Sequence, residues 1–120
     1  MNALLLVAHG SRRQQSNEEV RLLADKLKSR CGESFPIIHA GFLELADPLI
    51  PDGLQKCIDD GASKVTVLPY FLNTGRHVAE DIPGIVEEFK QNSSVEIGIV
   101  SHLGASEMML DLLASVATKE

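Results

Sequence analysis

Positive charge is scarce in this chain of 120 residues: Lys and Arg number 11 against 17 Asp and Glu, for a net charge of −6. With no basic stripe along it, the sequence argues against a nucleic-acid partner. Long apolar runs are also missing, and none approaches the roughly 20 residues of a membrane span. The opening stretch MNALLLVAHG lacks the basic leader, extended apolar run and cleavage site of a secretory signal. Cysteine is limited to Cys31 and Cys57, whose separation fits no metal motif, and both read as ordinary thiols of a cytoplasmic protein. Neither GxxxxGK[ST] nor GxGxxG occurs, so a nucleotide-driven reaction and a dinucleotide fold have no support. No linker, repeat or low-complexity segment divides the chain, and residues 1–120 read as one domain. Its 44% apolar and 23% charged residues, with only five aromatics, are ordinary for a globular protein.

The pattern that is present is strand then helix, four times over. ALLLVAH (3–9) is a short apolar run ending at Gly10, which suits a strand buried on both faces. A helix follows, with Ser16 and Glu19 spaced as a capping box and Gly32 as its stop. FPIIHAGFL (35–43) reads as the second strand. Asp47 and Pro48 read as the cap and first residue of a second helix that ends at Gly61. KVTVLPYF (64–71) is the third strand. Pro83 interrupts the next helix, so a short turn at 77–81 precedes a main helix near 82–91, with Asp81 as its cap. VEIGIVSH (95–102) is the fourth strand, and Met109, Leu112, Leu113 and Val116 give the last helix its apolar spacing. This alternation predicts an α/β fold: a doubly wound, four-stranded parallel sheet of order 2-1-3-4 with helices on both faces. Strands 1 and 3 are then central, and the crevice between their carboxyl ends is the expected ligand site.

Three polar side chains converge on that crevice. His9 ends strand 1, His77 lies just past strand 3, and Glu44 follows strand 2. Taken singly, each has an ordinary structural explanation: a strand-end histidine that has satisfied its hydrogen bonds, or a solvated loop carboxylate. Taken together, two imidazoles beside an expected crevice suit Zn, Co, Ni or Fe in the +2 state. Such a pair leaves coordination positions open, unlike the closed set of four in a structural metal site. An apolar wall near the edge, including Tyr70, Phe71 and Leu72, suits either plain core packing or a flat ligand bearing carboxylates. His39, inside strand 2, reads as a packing residue, and His102 receives no role.

Three stretches, LLVAHGSR, GFLELADP and PYFLNTGRHVAEDIP, resemble the small CbiX-type sirohydrochlorin chelatases, relatives of the SirB-type ferrochelatases. The similarity covers essentially the whole chain in order. It implies ATP-independent insertion of a divalent metal into sirohydrochlorin, with Co²⁺ for cobalamin as the leading case and Fe²⁺ for sirohaem as the alternative. Co²⁺, Fe²⁺ or Ni²⁺ is then a co-substrate, and no cofactor is permanently bound. The resemblance also implies a homodimer around the tetrapyrrole. By motif, His9 and His77 are the metal-binding pair and Glu44 an acidic neighbour. Ser11, Arg12, Arg13, Tyr70, Phe71, Leu72, Gly75 and Arg76 form the expected substrate-binding set, with the arginines suited to carboxylates.

Metal entry releases two pyrrole protons. An imidazole nitrogen can accept a proton or bind the metal, though not both at once. His9 and His77 are therefore expected to present the ion and take up protons, with Glu44 as helper base or orienting partner. Two rivals remain: a carrier that binds metal or tetrapyrrole without turnover, and a histidine phosphatase. The second expects Arg directly before the histidine, where this chain has Ala8.

Overall fold

The computed structural model describes residues 1–119. Its strands are β1 (Asn2–Ala8), β2 (Ile37–Phe42), β3 (Lys64–Pro69) and β4 (Glu96–Ile99). They form one parallel sheet in the order β2-β1-β3-β4. The helices are α1 (Gln14–Cys31), α2 (Ile50–Asp59), α3 (Ile82–Lys90) and α4 (Met108–Ala117). Central β1 is buried throughout from Ala3 to Ala8, as its unbroken apolar run requires.

Alternate residues of β1 feed two cores. Ala3, Leu5 and Val7 pack with Ile50, Leu54 and Cys57 of α2 and with Ile82 and Val86 of α3. Leu4 and Leu6 pack on the opposite face with Ala24, Val20, Leu23 and Leu27 of α1. Helices thus cover both faces, as the alternation predicts. α4 joins neither core, and every one of its residues except Met109 is exposed.

Two helix starts differ from expectation. Ser16 is not a cap, because α1 begins at Gln14 after an extended Arg13 with no side-chain cap bond. Asn17 explains the earlier start: only 6% exposed, it accepts a hydrogen bond from the Ser11 N–H at 2.9 Å and donates to the Ser11 carbonyl at 2.8 Å. This pair ties the 9–13 loop onto the first turn of the helix, in which Ser16 already lies. Asp47 and Pro48 do not open α2, which starts at Ile50 with Pro51 in its first turn. The Pro48 carbonyl instead accepts from the Phe42 N–H at 2.9 Å, which holds residues 43–49 in a loop. The stops at Gly32 and Gly61 fall where expected. Gly61 takes φ +110°, a left-handed conformation suited to glycine.

Candidate metal centre at the carboxyl edge of the sheet

β1 delivers His9 to the carboxyl edge, and the loop after β2 is laid directly on it. The Leu43 N–H donates to the Ala8 carbonyl at 3.0 Å and the Glu44 N–H to the His9 carbonyl at 3.1 Å. Gly10 makes this approach possible. It has φ +95°, and a Cβ there would sit 1.7 Å from the Glu44 carbonyl oxygen. Leu45 is held at φ 65°, a conformation costing a non-glycine residue roughly 1–3 kcal/mol unless its surroundings impose it. Arg21 supplies part of that restraint, since it stacks over the Phe42 ring at 5.2 Å and donates to the Asp47 carbonyl at 2.6 Å.

The chain after β3 brings His77 to the same place. His77 opens a π-turn, His77–Asp81, closed by the Ile82 N–H on the His77 carbonyl. Single π-turns of this kind are frequent at functional sites. The turn sets the Asp81 carboxylate on the His77 ring, with Nδ1 to Oδ2 at 2.7 Å. Asp81 was expected to cap the helix, but it makes no cap bond and orients His77 instead.

The His9 and His77 rings lie 4.6 Å apart between centroids, tilted by 30°. His9 Nε2 meets Glu44 Oε2 at 2.8 Å. An ionised carboxylate only accepts, so the ring nitrogen facing it carries the proton. In the neutral tautomers that this pairing selects, the unprotonated nitrogens are Nδ1 of His9 and Nε2 of His77. The cleft holding the pair has a volume of about 500 Å³ and is also lined by Glu80 and Glu88. Four carboxylates and no Lys or Arg face it, which favours a cation. Among the described residues, no group of three or more His, Cys, Asp or Glu is arranged to hold a metal ion, so no closed structural site of four ligands is present there.

Other expected site residues stand apart from this cleft. Tyr70, Phe71 and Leu72 line a separate hollow of about 390 Å³ with Leu103, Met109 and Leu112. The expected wall beside the histidines is therefore displaced toward α4. The reason is the chain's path after Pro69, where the Phe71 carbonyl accepts from the Gly104 N–H at 2.9 Å. Arg12, Arg13 and Arg76 are exposed and do not line the cleft, nor do Ser11 and Gly75. His39 pairs with Asp60 at 2.6 Å on the edge strand, and His102 lies beyond β4. The cysteines are free and outside the site. Burial, helped by the Asp60 carboxylate, pushes the Cys57 thiol up to about 12.

A parallel sheet with a histidine pair and an acidic lining at its switch point defines a small doubly wound α/β protein with a cleft suited to a cation. The CbiX family model matches residues 3–120, and the chain belongs to the CbiX family. It is 43% identical over 91 residues to the sirohydrochlorin cobaltochelatase of Methanocaldococcus jannaschii, covering 73% of this chain and 62% of that one. It is 32% identical to the sirohydrochlorin cobaltochelatase of Sulfolobus acidocaldarius, covering 99% and 92%. The sirohydrochlorin chelatase SirB of Bacillus subtilis subspecies spizizenii, solved in complex with cobalt, superimposes with a TM-score of 0.84 at 29% identity. That match covers 95% of this chain and 48% of SirB. Other relatives are sirohydrochlorin ferrochelatases. The chain thus spans less than two thirds of the methanogen relative and about half of SirB. Among the described residues, no helix is long and apolar enough to cross a membrane.

Proposed function

We propose that this chain is a sirohydrochlorin chelatase that inserts a divalent metal, Co²⁺ in the first instance, without ATP. The observation that carries the reading is the His9–His77 pair, 4.6 Å apart with each ring held by its own carboxylate. Family membership and the names of the relatives support the substrate.

In this reading Nδ1 of His9 and Nε2 of His77 present the ion on one side only, leaving its other positions for the pyrrole nitrogens. As the ion passes to the macrocycle, two N–H protons leave the ring. Each vacated imidazole nitrogen takes one, and the resulting imidazolium is stabilised by Glu44 or Asp81 behind it. Glu80 and Glu88 draw cations to the cleft mouth. Arg12, Arg13 and Arg76, exposed outside the cleft, engage the substrate carboxylates, with Ser11 and Gly75 shaping their loops. Two copies enclose the tetrapyrrole. The free thiols fit a reducing compartment, and the reaction is assigned to the cytoplasm.

Purified protein mixed with sirohydrochlorin and Co²⁺ is expected to change the absorption spectrum over many turnovers, faster than the spontaneous reaction. A change that stops at one equivalent would identify a carrier instead. A second reading, insertion of Fe²⁺ for sirohaem, is favoured by the ferrochelatase relatives. The same assay run anaerobically with Fe²⁺ separates the two by relative kcat/KM.

A further inference from the structure

His9 Nε2 and Glu44 Oε2 meet at 2.8 Å although both side chains are about half exposed. A pair this open to water gains little and must order two side chains, so it does not hold two loops in one arrangement by itself. The register between His9 and Glu44 has to come from the backbones that carry them. Those backbones meet through the Leu43 and Glu44 N–H groups on the Ala8 and His9 carbonyls. Both are also fastened to a third element, α1.

Asn17 makes the first attachment. Among the described residues it is the buried polar side chain of the fold, 6% exposed. A buried amide is costly unless its hydrogen bonds are made, and both of its groups are used on Ser11, two residues past His9. Arg21 makes the second attachment. It stands at i+4 from Asn17, where side chains share a helix face. It donates to the Asp47 carbonyl at 2.6 Å, lies over the Phe42 ring at 5.2 Å and pairs with Glu18. Phe42 and Asp47 bracket the segment that holds Glu44 and Leu45, the latter at φ 65°. The helix is a firm base for both attachments, because Val20, Leu23, Ala24 and Leu27 pack it onto Leu4 and Leu6 of β1. Neither Asn17 nor Arg21 lines the histidine cleft.

We propose that Asn17 and Arg21 are a pair of positioning residues: from one face of α1 they set the 9–13 loop against the 43–49 loop and so hold Glu44 in line with His9. The kinetic consequences rest on the proposed function, whereas the clamp itself is read in the protein alone. Arginine is required at 21 because one planar fork donates to a carbonyl, meets a carboxylate and stacks on a ring. Lysine keeps the charge and loses that arrangement. An amide is required at 17 because it donates and accepts on the same residue.

Arg21→Lys and Asn17→Ala are the variants to compare, the second placing a strong helix former in α1. Circular dichroism is expected to match the wild type in both. In hydrogen exchange without substrate, the Leu43 and Glu44 amides are expected to speed up roughly tenfold relative to Leu5 and Leu6 of β1. An equal change at all four amides, or none, overturns the proposal, since it would leave only a role in global stability or no role. In cobalt insertion, both variants are expected to lose about 10-fold or more in kcat, with KM for sirohydrochlorin within about twofold. Because Arg21 acts through Glu44, adding Arg21→Lys to Glu44→Ala is expected to cost less than about twofold more. Fully additive losses overturn the proposal. A wild-type protein without insertion would sink the proposed function, and the exchange result would still decide the clamp.

Discussion

The histidine cleft and the α4 end of the molecule are built on opposite terms. At the cleft the side chains are polar and half exposed, yet each histidine has a partner, and both loops are pinned by short backbone bonds and a glycine that nothing larger can replace. At the α4 end the side chains are apolar and exposed, and among the described residues no partner covers them. The cleft is therefore finished within one chain, whereas the α4 end is not.

The sharpest way to break the cleft is Gly10→Ala. Its Cβ would collide with the Glu44 backbone, a rigid group, in a conformation already unfavourable for alanine. Cobalt insertion is expected to disappear, and urea denaturation to show a loss of about 3 kcal/mol or more. A variant of wild-type stability would mean the two loops can separate without cost. Next come the carboxylates. Asp81→Asn and Glu44→Gln keep shape and remove charge, so kcat/KM is expected to fall about 10–100-fold with folding unchanged. Unaltered kinetics in Asp81→Asn would return Asp81 to an ordinary helix-entry residue.

Two smaller effects test whether features outside the cleft are merely structural. The Cys57 thiol is raised from 9.0 to about 12 in the folded chain, so the neutral form is favoured there. Its contribution is fully present below pH 9 and is lost as pH rises toward 12, at up to about 1.4 kcal/mol per pH unit. Denaturation at several pH values is expected to show this slope, and Cys57→Ala to flatten it. In the native protein a maleimide is expected to label Cys31 and spare Cys57. Least of all, His39→Ala removes a partly exposed pair with Asp60 and is expected to cost about 1 kcal/mol or less, with cobalt insertion intact.

The convergence of His9, Glu44 and His77 at the carboxyl edge was legible from the chain alone. Four apolar runs alternating with helices dictate the sheet order, and that order brings His9, Glu44 and His77 together. Residues whose roles depend on distant loops were not legible. Asp81 before Ile82 and Pro83 has the pattern of a helix cap, and only the π-turn reveals it as the partner of His77. Asn17 and Arg21 look like ordinary helix residues, yet one holds the 9–13 loop and the other the loop carrying Glu44. Tyr70, Phe71 and Leu72 carry a pattern that reads equally as wall or core. Their placement against α4 follows from the turn at Gly104, which has no short-range signature.

The proposed mechanism turns on one divalent ion held jointly by His9 and His77. It is tested most directly by comparing Co²⁺ titrations and cobalt insertion in the wild-type protein, His9→Ala and His77→Ala. Weakened Co²⁺ binding is expected in both variants, with a loss of insertion of about 100-fold or more. Full Co²⁺ binding and full insertion in both variants would contradict it.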